Sequence, residues 1–273
     1  MRIEKGNNII AVWTNDGFNL KRTLESGQCF RWKDQNGIYK GTAFGRTVCV
    51  RQEENRLDFY CSSEDFESYW LSYFDLDTDY NAIKEQIFQC EPLLKESAAE
   101  ADGIHILRQE PWEALCSFII SQNSNIPKIK RSVQLLCETF GNSAVGGGFT
   151  FPSPESLAKL TPEDLAPLRC GYRAPYIIDA AQKVALGEIS FDFAKNAPLE
   201  QARTHLMQIK GVGKKVADCA LLYGFERLDC FPVDRWIARA MEQFLPSGSA
   251  IVSHKYAGIA QLYIFYIMIS DRF

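Results

Sequence analysis

The spacing of apolar positions changes once along the chain. Up to residue 61 it is near two. Arg56-Leu57-Asp58-Phe59-Tyr60-Cys61 alternates as a half-buried strand does, and Glu53-Glu54-Asn55 offers a turn from a strand at Thr47–Arg51. Ile38–Phe44 is a further strand. From Glu64 the spacing becomes three and four. Phe66, Trp70, Leu71 and Phe74 form one helical stripe, and Tyr80–Phe88 predicts a second helix. Trp112–Gln122 is a third, with Pro111 set for the first helical position. Ser153-Pro154 and Thr161-Pro162 each pair a cap residue with a proline and mark helix starts. Strands early and helices late predict an α+β chain of two domains, an antiparallel β-sheet domain over 1–100 and a mainly α-helical region over 101–273.

Within the helical region, Leu199, Ala202, Leu206 and Ile209 lie on one helix face, and Val216, Ala220 and Tyr223 on another. Ile209-Lys210-Gly211-Val212-Gly213-Lys214-Lys215 joins them. Gly211 and Gly213 allow a tight bend and a close approach to a ligand. The second helix starts there, so its unpaired N–H groups and partial positive charge point outward, which suits a phosphate. Residues 198–223 thus read as a helix-hairpin-helix, a grip on the DNA backbone that ignores sequence, or else as an ordinary αα-hairpin with a glycine-rich turn. Phe231-Pro232-Val233-Asp234 follows as a short extended run, with Asp234 placed to N-cap a helix over Arg235–Phe244. In a last helix, Tyr256–Ile269, Gln261 and Phe265 share a face at i,i+4. Lys215 and Cys219 have the same spacing.

Composition narrows the class. A chain of 273 residues with 46% hydrophobic content can bury one large core or two smaller ones. The start, Met1-Arg2-Ile3-Glu4-Lys5, predicts no secretory leader, and Ile259–Ile269 is too short to span a bilayer. The nine cysteines include no close pair, which argues against zinc or iron–sulfur sites built on such pairs. They are expected to be reduced thiols in a cytoplasmic protein, and no metal or cofactor is expected. The net charge of −4 conceals an uneven distribution: residues 1–100 carry 12 basic and 17 acidic side chains, and residues 101–273 carry 18 and 17. Arg203 to Lys215 holds four Lys/Arg and no acid. Phosphate contacts are therefore expected to be local and to lean on backbone N–H groups.

The G-V-G-K hairpin, the following lysine and the P-V-D run resemble the helix-hairpin-helix/Gly-Pro-Asp superfamily of base-excision DNA glycosylases. The string Gly211–Cys219, GVGKKVADC, resembles the 8-oxoguanine DNA glycosylases of the eukaryotic type, and the chain is identified as a prokaryotic member of that group. The resemblance covers most of the chain. Ser26-Gly27-Gln28-Cys29-Phe30-Arg31-Trp32 is similar to the family's S-G-Q-x-F-R-W. It implies that the Gly27 carbonyl accepts the N7–H that 8-oxoguanine has and guanine lacks. Read alone, Gly27 is a C-cap of the Leu20–Leu24 segment. Gly258-Ile259-Ala260-Gln261 with Phe265 resembles the family's G-x-A-Q-x-x-x-F. That match implies that Gln261 reads the Watson–Crick edge of the flipped base, with Phe265 stacked on one face and Cys219 on the other. The polar stretch Ser121–Lys128 implies that Asn123 fills the gap left in the duplex. Lys128 stands where the family has an arginine, and a lysine cannot offer cytosine two parallel donors. In Cys170-Gly171-Tyr172-Arg173-Ala174-Pro175-Tyr176 the resemblance makes Tyr172 the wedge beside the flipped nucleotide and Arg173 a contact to the orphaned cytosine. Trp236 departs from the family's phosphate-binding histidine.

By the same resemblance Lys215 is the nucleophile. The helix N-terminus and burial beside an enclosed base both favour its uncharged amine. Attack on C1′ gives an imine with the opened sugar, β-elimination cuts the strand, and Asp234 stabilises positive charge developing on the sugar. Lys214, Gly211 and Gly213 would meet the backbone. The expected partner is double-stranded DNA containing 8-oxoguanine, bound by a monomer. Two alternatives are a related glycosylase for another damaged base and a non-enzymatic DNA clamp. The absent cysteine cluster and the presence of Lys215 speak against the first, and Lys215 with Asp234 against the second.

Overall fold

The computed structural model describes residues 1–97, 101–245 and 248–270, so the domain boundary expected near residue 100 falls outside the described residues. Six strands, β1 (Arg2–Lys5), β2 (Ile10–Trp13), β3 (Trp32–Gln35), β4 (Ile38–Ala43), β5 (Arg46–Glu53) and β6 (Arg56–Tyr60), form one sheet in the order β1-β2-β6-β5-β4-β3. Every neighbouring pair is antiparallel. The three expected strands are β4, β5 and β6. The turn from β3 to β4 is Asn36-Gly37, with φ of 56° and 83°. Two consecutive left-handed residues give the backbone twist that a two-residue hairpin needs. Gly41 lies opposite Trp32, and a Cβ there would come within 2.2 Å of the indole, so the close approach requires glycine.

Val48, Val50, Leu57 and Phe59 on the sheet pack against Phe66, Trp70 and Phe74 to form the smaller of two cores. The helical stretch 63–73 contains a π-turn at Phe66–Trp70. Leu71, expected in the stripe, stands at the rim of this core, and Tyr73 is inside, where its hydroxyl accepts from Trp32 Nε1 at 2.8 Å. The larger core lies among the helices Tyr80–Cys90, Pro111–Ser121, Ile126–Phe140, Ala174–Ala185, Lys214–Gly224 and Ala257–Ser270. At Gly224 a Cβ would meet that of Ala114 at 2.9 Å, which lets the Pro111–Ser121 and Lys214–Gly224 helices lie close together. The helix start expected at Ser153-Pro154 is present as Pro154–Leu157, capped by Ser153. The one expected at Thr161-Pro162 is not an α-helix. Asp164 closes a turn by accepting from Thr161 N and Oγ1 at 2.8 and 3.0 Å, and a 3₁₀ turn, Ala166–Leu168, follows. Pro167 has no N–H to donate, so an α-helix could not run through it unbroken.

The two cores interleave along the chain. Tyr80, Ile83, Ile87 and Leu94 belong to the larger, and Leu107 to the smaller. The stretch between them is fastened by Gln28, whose residue is fully buried. Its Nε2 donates to the His105 carbonyl at 2.8 Å, its Oε1 accepts from Leu107 N at 2.8 Å, and its backbone carbonyl accepts from Gln109 Nε2 at 2.7 Å. Gln109 N in turn donates to the Tyr223 carbonyl at 3.1 Å, at the end of the Lys214–Gly224 helix. A hydrogen-bonded path thus joins the turn beside Gly27 to the helix that carries Lys215. Gln28→Leu would leave the Leu107 N–H and His105 C=O without these partners, at about 1–3 kcal/mol for each buried group. Urea unfolding should show a loss of at least about 2 kcal/mol; a loss no larger than that of an exposed Gln→Leu change would mean that the bonds do not hold the two cores together.

Candidate active site

The Leu199–Leu206 and Lys214–Gly224 helices form the hairpin. The first helix ends earlier than its apolar pattern, and Ile209 is buried in the connection. Arg203 Nε donates to Asp218 Oδ1 at 2.6 Å, with both side chains at least nine-tenths buried, so an ion pair ties one helix to the other. Gly211 has φ 75°, and a Cβ there would fall 2.2 Å from the Tyr176 ring. Gly213 differs: it is the N-cap of the second helix, in extended conformation with no side-chain cap, and the space at its Cα is open. The first amides of this helix therefore face outward, uncapped by any side chain, in the arrangement an anion requires. Lys214 is exposed beside them.

Lys215 points the other way, into a cavity of about 50 Å³ lined by Ser26, Gly27, Phe118, Lys215, Cys219, Tyr223, Pro232, Asp234, Gln261 and Phe265. All six residues expected at the chemistry and at the base meet there, from four separate segments. Lys215 Nζ lies 5.5 Å from the centre of the Phe118 ring. Burial pushes the Cys219 thiol up, and the nearby Lys215 amine opposes that shift. Asp234 caps the Arg235–Phe244 helix, its Oδ1 accepting from Trp236 N and Ile237 N, each at 2.9 Å. The carboxylate is therefore both a cap and a fixed wall of the cavity. Gln261 is 5% exposed, and its Oε1 has no hydrogen-bond partner among the described residues. A buried amide oxygen left unpaired costs free energy unless something enters to donate to it. Gly27 follows the Ser26 C-cap of the Leu20–Glu25 helix with φ 81°. It is a C-cap glycine and a pocket wall at once. The Phe265 ring would meet a Cβ on it at 3.2 Å.

The other expected residues lie outside this cavity. Asn123, Lys128 and Arg173 line a groove of about 880 Å³ together with Arg131, Arg169 and Arg235. Asn123 is exposed with φ 48°. Arg173 holds it there: Nε donates to the Gln122 carbonyl at 2.6 Å, one amino group to the Cys170 carbonyl at 3.1 Å and the other to the Asn123 carbonyl at 2.9 Å. Three of the five guanidinium donors are thus used on backbone, which leaves two for a ligand. Tyr172, 52% exposed, stands over this guanidinium at 4.7 Å. Trp236 is half-buried, with the Arg235 guanidinium 5.0 Å from its ring. Arg131, Arg169 and Arg235 are absent from the sequence reading. Arg131 lies three residues after Lys128, a spacing that shares a helix face, but Arg169 and Arg235 reach the groove from other elements and carry no such signal. Among the described residues no group of three or more His, Cys, Asp or Glu could hold a metal ion, and no helix is long and apolar enough to cross a membrane.

An uncapped hairpin helix, a lysine turned into a cavity and an aspartate capping the next helix define a protein of the helix-hairpin-helix base-excision class. The chain belongs to the HhH-GPD superfamily of base excision DNA repair proteins, matched over residues 116–254, and residues 10–115 match the 8-oxoguanine DNA glycosylase N-terminal domain. It is 36% identical to the N-glycosylase/DNA lyase of Saccharomyces cerevisiae, over 81% of this chain and 66% of the yeast protein. An N-glycosylase/DNA lyase of Arabidopsis thaliana is 27% identical over 92% of this chain and 73% of its own. The crystal structure of a Clostridium acetobutylicum 8-oxoguanine glycosylase/lyase, bound to duplex DNA with cytosine opposite 8-oxoguanine, superposes with a TM-score of 0.92 at 33% identity, covering 100% of this chain and 99% of that one.

If Gly27 presents its carbonyl to the base, Gly27→Ala at this left-handed φ and against Phe265 should lower excision of 8-oxoguanine by about ten- to a hundredfold, the scale of a lost hydrogen bond. Affinity for an abasic-site duplex, which puts no base in the cavity, should change far less. Equal losses on both duplexes would make the glycine only a determinant of the fold.

Proposed function

We propose that this protein flips 8-oxoguanine out of duplex DNA, excises it and then cleaves the strand, as a bifunctional DNA glycosylase and AP lyase of base excision repair. The observation that carries the reading is the convergence of Lys215, Asp234, Gly27, Cys219, Gln261 and Phe265 on one cavity. The family and the glycosylase/lyases it resembles support it. The enzyme works where genomic DNA lies, in the cytoplasm or nucleoid.

The Lys215 amine forms a bond to C1′ as the C1′–N9 bond breaks and its electron pair leaves with the base. Opening of the sugar ring gives an imine. Loss of a C2′ proton then expels the 3′ phosphate, which is β-elimination. Asp234, held by the two amides it caps, places negative charge beside C1′ as positive charge develops there. Gln261 offers its unpartnered Oε1 to donors on the base edge. Cys219 and Phe265 bound the base faces, and the Gly27 carbonyl accepts N7–H. The cavity of about 50 Å³ holds a few waters in this conformation, and the half-buried Phe265 bounds it beside Gly27. The outward amides of residues 213–216 and Lys214 take phosphates, Asn123 enters the vacated space, Tyr172 wedges beside it, and Lys128 and Arg173 meet the orphaned base.

Borohydride trapping on an 8-oxoguanine duplex tests the reading. Lys215→Gln is expected to abolish base release and the covalent adduct while retaining lesion-DNA binding. An adduct that survives Lys215→Gln and disappears in Lys214→Gln would move the nucleophile to the neighbouring residue. Failure of the unsubstituted protein to release 8-oxoguanine would defeat the function itself.

Selectivity for the base opposite the lesion is expected to be weaker than in relatives with arginine at the Lys128 position. Lysine is a point donor, and Arg173 has already committed three donors to backbone. Excision rates opposite C, A, G and T, compared with those of Lys128→Arg, check this. A strong preference for C in the unsubstituted protein would overturn it.

A further inference from the structure

A second concave site lies against a neighbouring face of the Ile126–Phe140 helix from the groove at Asn123. It has a volume of about 410 Å³ between that helix, β3, β4 and the loop carrying Phe149. Its floor includes the buried Phe30 and Trp32. Its walls carry Lys33, Lys40, Lys130 and Arg131, none of which has an ion-pair partner among the described residues. Two further charges are already neutralised, since Arg31 pairs with Glu113 at 3.0 Å in a buried contact. The one acid in the lining, Glu138, accepts from Gln134 Nε2 at 2.6 Å.

This placement is unfavourable by itself. Lys33 and Lys40 are directly opposite in the β3–β4 register, so two ammonium groups share one face of the sheet. Like charges so placed destabilise a sheet. They do so within residues 1–100, where acidic side chains outnumber basic ones, 17 against 12. Lys130 and Arg131 add positive charge from the facing helix. A polyanion seated in the cavity would add an attraction to each of these cations and so offset their mutual repulsion. Continuity identifies the polyanion. Arg131 lines both this cavity and the groove that holds Asn123, Lys128 and Arg173, so one cationic band crosses the helix from one to the other.

The geometry points to a second DNA-backbone site: Lys33, Lys40, Lys130 and Arg131 bind phosphates of the duplex flanking the lesion, and the sheet domain thereby takes part in gripping DNA. This rests on the proposed DNA-repair function and extends its footprint to β3 and β4. The bland role of the same lysines is protection of the exposed sheet edge, since β3 is the last strand of the sheet and edge lysines discourage pairing with other chains.

The test is the salt dependence of binding. The logarithm of the association constant falls with the logarithm of salt by about 0.9 for each phosphate contact on B-DNA. Lys33→Gln/Lys40→Gln should therefore reduce the slope by roughly 1.8 on a long lesion duplex. Lys33→Arg/Lys40→Arg should restore it. On a duplex trimmed close to the lesion, both pairs of substitutions should leave the slope as it is in the unsubstituted protein. An unchanged slope on the long duplex would overturn the proposal and leave edge protection as the role of these lysines. Loss of binding of a mononucleotide or inorganic phosphate in Lys33→Gln/Lys40→Gln, with the duplex slope unchanged, would also overturn it in favour of a small-anion site. Base release by the unsubstituted protein is measured separately, so a failed footprint is distinguishable from a failed function.

Discussion

The pocket depends first on a buried glutamine. Its walls come from both cores, Gly27 from the sheet side and Lys215, Cys219, Gln261 and Phe265 from the helical side. Two bodies that met only through apolar contact could slide, because hydrophobic attraction has no direction. Gln28 removes that freedom. Its amide donates to the Thr23 and His105 carbonyls and to Ser26 Oγ, and accepts from Leu107 N. Every member of this small network is paired, the condition under which buried polar groups specify one arrangement and do not merely cost free energy. Gly27 is adjacent, so the network sets the direction of its carbonyl. Through Gln109 the same network reaches the carbonyl of Tyr223, two turns of helix from Lys215. Gly27 and the helix that carries Lys215 share one hydrogen-bonded frame.

The hairpin accepts an opposite arrangement at its exposed end. A helix beginning at a glycine without a side-chain cap leaves amide donors unsatisfied, where a serine or aspartate would add stability. The buried pair of Arg203 and Asp218 holds the two helices together behind that end, and Gly211 against Tyr176 fixes the turn. The rigid back lets the front stay open to a phosphate. Asp234 shows the reverse choice one helix later. There the cap is filled by a carboxylate, and the capping bonds hold the charge next to Lys215 in the cavity lining.

What was legible in the sequence follows from how far each signal reaches. Period-two and period-3.6 patterns are local, so β4, β5, β6 and the helices at Tyr80, Pro111, Arg235 and Ala257 were found to within about two residues, whereas Ile126–Phe140 and Ala174–Ala185 were given no bounds. β1 and β2 were given no bounds, and β3 was missed although Asn36-Gly37, the strongest short hairpin signal, follows it, because Trp32-Lys33-Asp34-Gln35 has a single apolar residue and no alternation. Thr161-Pro162 misled because the second proline, at 167, outweighs a good cap. The expected pocket residues came from motif strings, each carrying its own spacing, and they converge because four segments fold onto one point. The groove arginines carried no string. Arg131, Arg169 and Arg235 are single cations on three elements, and only the fold places them beside Asn123. The roles of Gln28, although it stands in a matched string, and of Gln109 were invisible for the same reason: a glutamine shows no buried role until its partners, some eighty positions away, are known.

A net charge of −4 is unusual for a protein that holds a polyanion, and the distribution of that charge explains how it works. Non-specific affinity for DNA scales with the number of phosphates neutralised, and it falls steeply with salt. A uniformly basic surface would therefore bind undamaged duplex in many orientations. Here the acidic remainder repels DNA wherever the cations are not gathered, and on the proposed footprint attraction is confined to the outward amides that begin at Gly213, the groove beside Asn123 and the band through Arg131. Uncharged donors carry part of the load at the hairpin, and they attract a phosphate only within hydrogen-bond reach. Orientation is thus imposed before any base is tested, because complementary fields steer an encounter more than they tighten it. In the proposed reaction the lysine and the glycine carbonyl, on the wall of the cavity, meet a nucleotide only after it has left the stack.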